Sequence, residues 1–225
     1  MNRREFIKIV GLGSLAIYLS GCGISALKKT SDDGEVAAQE SVSGGKAMKI
    51  VVINSSPHSQ EQSTSRYLSE KFVQGAKAAG HEIFVFDAAN EKTNPCRGCD
   101  QCGMNGPCVF DDAIEENLMP QMLKADLLVL VTPLYYFGMS AQLKTVVDRF
   151  YSRTSRLGGK KSMIIATAWN SNDWTMDALK THYETLVRYM GWQDVGQIWA
   201  MGCGSRQLVE KSEFGDTAYK IGAAL

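Results

Sequence analysis

The chain has 225 residues, 44% of them hydrophobic, with 24 basic and 24 acidic side chains. That length and apolar fraction suit one ordinary globular domain with a full core. A charge balance so near zero leaves no electrostatic footprint for nucleic acid, which is not an expected partner.

The first residues read "MNRREFIKIVGLGSLAIYLSGCG". Arg3, Arg4 and Lys8 flank an apolar run from Ile9 to Leu19, 11 residues long. A membrane-spanning helix needs about 20, so this layout is that of an export signal. "NRREFIK" resembles the twin-arginine signal, read by a translocase that moves folded proteins. "LSGC", ending at Cys22, resembles the bacterial lipobox, whose cysteine is lipidated and becomes the new N-terminus. The expectation is an export signal over 1–21, lipidation at Cys22, and an extracytoplasmic protein, periplasmic or cell-surface, held to the membrane by its anchor. The alternatives are an uncleaved signal anchor or a cytoplasmic protein with an apolar first helix. "GLGSLA" (Gly11 to Ala16) fits the dinucleotide pattern G-x-G-x-x-A, but no strand precedes it and it lies inside the signal. It is discarded. Residues 22–47 are poor in large apolar side chains and predict a flexible tether.

The body, 48–225, alternates strands with helices. "AMKIVVINSS" predicts a first buried strand, and Thr64 to Ala79 a helix closed by Gly80. "HEIFVFDAA" is a second strand; a cysteine loop over 95–111 and a helix from Asp112 to Lys124 follow. "ADLLVLVTP" is a third strand, apolar on both faces and therefore covered on both. A helix over 139–153, the strand "KKSMIIATAW", a helix over 175–190, the strand "WQDVGQIWAMG" and a last helix from Ser205 complete the chain. This alternation implies right-handed crossovers and a doubly wound five-stranded parallel sheet of α/β class. The flavodoxin-like order 2-1-3-4-5 fits, with the Cys-rich loop inserted after strand 2. Ligands then bind beyond the C-terminal strand ends, so the loops after strands one, three and four carry the interest.

The loop after the first strand, "NSSPHSQEQSTSRYL", is dense in hydroxyls and leads into a helix, a ready phosphate site. No Walker lysine follows, which argues against a nucleoside triphosphate. One hydroxyl, at Ser63 or Thr64, could simply cap the helix. The loop resembles the "GSPR…NT" phosphate loop of the NADPH-dependent FMN reductase and iron–sulfur flavoprotein group, within the flavodoxin-like flavoproteins. By that resemblance Ser56, His58, Ser63, Thr64 and Ser65 surround an FMN phosphate. Ser55 stands where the pattern has glycine and His58 where it has arginine, which removes a permanent cation.

After the third strand, "TPLYYFGMSAQLKTVVDRFY" resembles the same group's Ser-Pro-aromatic element, with Thr132 in place of serine. The resemblance implies that Pro133, Leu134, Tyr135, Tyr136, Phe137 and Gly138 contact the flavin ring, which needs apolar packing and a few backbone donors. The aromatics could instead be core or dimer surface. Lys144 and Asp148 lie four apart on a helix and should pair; Arg149 reads as structural. Ala168, Trp169 and Asn170, after the fourth strand, would close the far edge of the flavin.

Cys96, Cys99, Cys102 and Cys108 fall within 13 positions. Four thiolates so close suit a [4Fe–4S] cluster or a zinc site, and export would also permit disulfides in any of three connectivities. The C-x2-C-x2-C-x5-C spacing resembles the compact element of the iron–sulfur flavoproteins, and "FDDAI" their downstream "DDM"; the resemblance spans Met48 to about Gly202. It implies a cluster, which a folded-protein exporter allows to be installed before export. The overall expectation is an FMN-dependent oxidoreductase or electron carrier with no catalytic side chain of its own. Its partner would be a redox protein or a quinone, and it would form a homodimer or higher homo-oligomer. The alternatives are an NAD(P)H-dependent flavin or quinone reductase without a cluster, and a non-catalytic binding module.

Overall fold

The computed structural model describes residues 46–225. The expected export signal, Cys22 and nearly all of the tether lie outside the described residues. No described helix is long and apolar enough to cross a membrane.

The elements follow in sequence as β1 (Lys49–Asn54), α1 (Thr64–Ala78), β2 (Glu82–Asp87), α2 (Met119–Lys124), β3 (Leu127–Tyr135) and β4 (Gly138–Met139). Then come α3 (Ala141–Arg149), α4 (Thr154–Leu157), β5 (Lys161–Thr167), α5 (Asp177–Met190), β6 (Gln193–Ala200), α6 (Arg206–Glu210) and α7 (Phe214–Ala223). Five strands pair in parallel in the order β2-β1-β3-β5-β6, the expected flavodoxin-like winding. The sixth, β4, is an addition to that expectation: it folds back antiparallel on the end of β3, with Leu134 opposite Met139.

Strand side chains alternate between two cores, as the period of two requires. Val51, Ile53, Leu128, Leu130 and Ile164 face one layer, covered by α2, α3 and α5. Ile50, Val52, Leu127, Val129 and Ile165 face the other, covered by α1 and α7. There α1 and α7 cross at contact distance. A Cβ on Gly75 would stand 2.1 Å from the Tyr219 carbonyl oxygen, and one on Gly222 2.3 Å from that of Phe72.

Three expected helices are broken. The segment from Asp112 starts as a π-helical turn over Ile114–Leu118, in which the Met119 N–H reaches back to the Ile114 carbonyl; Pro120, with no N–H, adds no bond there. The helix over 139–153 ends at Arg149 and tightens into a 3-10 turn over Phe150–Arg153 before α4. The C-terminal helix divides into α6 and α7. Lys144 and Asp148 pair as expected, 2.5 Å apart.

Candidate functional site

Because the central strands run parallel and in register, Asn54, Val131 and Thr167 bring their following loops to one edge of the sheet. The first loop is shaped locally. The Asn54 side-chain oxygen accepts the Ser56 N–H at 3.1 Å, turning the chain as β1 ends. Ser55 is fully buried. Its hydroxyl donates to the Val131 carbonyl (2.8 Å) and accepts from the Ser140 hydroxyl (2.8 Å), tying the loop to β3 and to the start of α3. A serine in the glycine position is thus a structural tie.

Arg66 organises the loop from beneath. Its guanidinium is paired bidentately with Asp87 at 2.7 and 2.8 Å and donates to the carbonyls of Ser56 (2.8 Å) and His58 (3.1 Å). Burial alone would raise the Asp87 carboxyl, but hydrogen bonds from Arg66 and Asn90 outweigh it and hold the group below the ordinary carboxylate range. The sequence reading missed Arg66. Its partners lie 8 to 21 residues away, beyond any local pattern.

The loops enclose a cleft of about 620 Å³, within the range of roughly 300–1,000 Å³ typical of small-molecule sites. Ser56, His58, Thr64 and Ser65 line one side; Pro133, Leu134 and Tyr135 line another, with Ala168 and Trp169 beside them. The Thr64 hydroxyl donates to that of Thr167 at 2.9 Å, fixing the first loop to the end of β5. Tyr136, Phe137 and Asn170 border a smaller cavity of about 260 Å³ that shares Leu134, Ala168 and Trp169. Two residues stand apart from the expected set. Ser63 is buried and caps α1, accepting the Arg66 N–H at 3.1 Å and donating to the Ser56 hydroxyl at 2.8 Å, and it does not line the cleft. Gly138 belongs to β4 and lines neither cavity.

The aromatic turn is a hairpin rather than an open loop. The Ser140 N–H donates to the Thr132 hydroxyl (2.9 Å), which donates in turn to the Pro133 carbonyl (2.7 Å). Tyr136 and Phe137 take left-handed backbone angles, φ 46° and 65°. Phe137 packs on Trp174 with ring centres 5.2 Å apart, while Tyr136 is wholly exposed. Burial raises the Tyr135 phenol. The cleft has one wall the sequence did not announce, from Cys203 to Gln207 after β6. The Cys203 N–H donates to the Ala168 carbonyl at 2.9 Å, and Trp169 lies so close to Gly204 that a Cβ there would meet its ring at 2.7 Å.

The cysteine loop is a separate structure, clasped at its ends. Asp112 accepts the Asn94 N–H (2.8 Å) and the two arms of Arg149 (2.8 and 3.2 Å), and Arg149 also donates to the Asn94 carbonyl (2.9 Å). Farther out, the Tyr151 hydroxyl donates to Asp100 (2.7 Å), and Arg153 donates to the Gly106 carbonyl and to Glu115. Gly98, Asp100, Gly103 and Met104 take left-handed backbone angles. Cys96 and Cys99 are exposed, Cys102 and Cys108 partly so, and none forms a disulfide. The Cys99 thiol is lowered, chiefly by the Gln101 backbone N–H and then by Arg97. Among the described residues no three or more His, Cys, Asp or Glu side chains are gathered around a point that could hold a metal ion. The four cysteines are thus not converged on a common point in this fold.

A family model described as flavodoxin-like fold matches residues 48–214. An iron–sulfur flavoprotein of Methanocaldococcus jannaschii is 34% identical over 111 residues, 49% of this chain and 55% of that protein. An FMN-dependent NADH:quinone oxidoreductase of Polaromonas naphthalenivorans is 32% identical over 108 residues, 41% of this chain and 50% of that protein. The chain spans about half the length of these relatives. Among solved structures, an NAD(P)H:quinone oxidoreductase from Methanothermobacter marburgensis superposes with a TM-score of 0.63 at 20% identity, covering 79% of this chain and 96% of that one, a likeness of fold.

Proposed function

The chain belongs to the flavodoxin-like fold family, and from that membership we propose that it is an FMN-dependent oxidoreductase. The observation that carries this reading is the meeting of the hydroxyl-rich loop, the aromatic hairpin and the loop after β5 in one cleft. Ser56, from the loop after β1, and Thr64 and Ser65, at the N-terminus of α1, would hold the phosphate. Pro133, Leu134, Ala168 and Trp169 would pack the ring and exclude water from it. Bound there, FMN supplies hydride and single-electron chemistry on its own ring, so no acid–base side chain is required. The protein's part is to orient: the Thr64–Thr167 and Ser55–Ser140 bonds keep the walls in register.

Cys96, Cys99, Cys102 and Cys108 would hold a [4Fe–4S] cluster, which would supply single-electron transfer toward a redox protein or a quinone. Their compact spacing supports this, as does the relative named an iron–sulfur flavoprotein. The quinone is suggested by the relative named a quinone oxidoreductase. A visible spectrum with flavin, iron and acid-labile sulfide analysis of anaerobically purified protein tests both parts. One FMN with iron and sulfide is expected; FMN without iron removes the cluster and leaves the flavoprotein. The exposed, unconverged thiols favour a second reading, an NAD(P)H-dependent flavin or quinone reductase without a cluster. Rapid bleaching of the flavin on anaerobic mixing with NADPH would support it.

The reading includes export and lipid anchoring through Cys22, on the strength of "NRREFIK" and "LSGC". Cys22→Ser should move the protein from the membrane fraction to the soluble one. A homodimer or higher homo-oligomer is the expected assembly, checked by light scattering.

A further inference from the structure

The cleft contains one fixed cation among the described residues. Its lining includes no lysine, and its one arginine is Arg206, from the segment after β6. Arg66 does not line it. His58 stands where the resembled phosphate loop has arginine, and Glu61 adds a carboxylate to the same rim. A phosphate entering this cleft would meet serine and threonine hydroxyls, an imidazole and a negative charge, with Arg206 to offset the last.

Arg206 is held for that role. Its Nε donates to Glu210 at 2.6 Å and its Nη1 to the Gln60 carbonyl at 2.7 Å, so it bridges α6 and the first loop. Its guanidinium lies over the Tyr67 ring, 4.5 Å from the centre. Nη2 makes no hydrogen bond among the described residues. A stacked, planar cation with a spare donor is well suited to a phosphate monoester. Part of the lowering of the Glu61 carboxyl comes from Arg206, after a backbone N–H and Ser59, which puts its field on the loop.

We propose that Arg206 is a phosphate-binding residue of this cleft, supplying from across the fold the permanent positive charge that an arginine at position 58 would carry. The inference rests on the FMN reading above and extends it to a segment remote in sequence.

The test is the affinity of purified Arg206→Ala, Arg206→Gln and Arg206→Lys proteins for FMN and for riboflavin, by quenching of flavin fluorescence at low and high salt. Arg206→Ala should weaken FMN by about tenfold or more, leave riboflavin unchanged and flatten the salt dependence of FMN binding. Lysine should restore most of the loss and glutamine should not. If glutamine restores as much as lysine, Arg206 only holds the Gln60 carbonyl and the proposal is overturned; unchanged FMN affinity in Arg206→Ala overturns it as well. Wild-type protein that binds neither flavin sinks the FMN reading itself, and is thereby told apart from a failure at Arg206.

Discussion

Asp112 and Arg149 are each only 1% exposed through their side chains and are paired at 2.8 Å. Breaking such a buried pair from one side leaves an uncompensated charge and costs about 3–5 kcal/mol. Asp112→Asn should lower stability toward urea by that order and speed the reaction of Cys96 and Cys108 with a thiol reagent, since the loop loses its clasp. Burial alone would raise the Asp112 carboxyl, but Arg149 and Asn94 together hold it below the ordinary range. Its stabilisation is therefore complete above the unfolded value of about 3.9 and fades as pH falls through the lower folded value. Asp87, depressed by Arg66, acts in the same sense. Urea midpoints should drop on acidification below about pH 4, and less steeply in Asp112→Asn. Tyr136 offers a cleaner test of strain. It is fully exposed at φ 46°, so glycine loses no burial. Relief of the left-handed strain, less the added freedom of the unfolded chain, should give a net gain of about 0.5 kcal/mol. Phe137→Gly should instead destabilise, because it removes the ring packed on Trp174. Of these residues the sequence displayed the hydroxyls and the aromatics but not their division of labour. Ser63 as a helix cap was legible, since its partner is three residues on in the same helix; Ser55 as a tie and Arg66 as a brace were not, because they depend on partners from other elements.

The crossing of α1 and α7 is fixed by two glycines. An added methyl at Gly75 or Gly222 would meet backbone, which cannot rotate aside. Overpacking of this kind costs about 1–3 kcal/mol, and Gly75→Ala should lower the melting temperature although alanine is the better helix former. An unchanged or raised melting temperature would show that the two helices are free to separate. The strands were legible because β1, β3 and β5 are continuous apolar runs whose length and β-branching point one way. The hairpin of β3 and β4 was not, since its turn uses two aromatic residues in angles usually left to glycine or asparagine. The π turn before α2 and the split of the last helix were likewise hidden, being settled by which backbone groups find partners in the folded chain.

Across the molecule, the winding order places the ends of β1, β3 and β5 together, and this creates a cleft from loops more than 70 residues apart. The alternation of strands and helices made that edge foreseeable. The wall from Cys203 to Gln207 was not: the expected order already set the last strand beside the fourth, but nothing in "CGSRQ" matches a binding motif that would single out the loop after it. The cysteine loop stands outside the cleft, with its own clasp of Asp112, Arg149 and Arg153, so the two sites should be separable by mutation. Replacing Cys99 and Cys102 by serine should abolish any iron content while leaving FMN affinity unchanged within about twofold, as expected for sites without shared partners. A crystal structure of the protein grown with FMN decides the matter at the cleft. The phosphate should lie among Ser56, Thr64 and Ser65, with the ring against Pro133, Leu134 and Ala168. A flavin bound elsewhere, or a cleft left unfilled at saturating FMN, would contradict it.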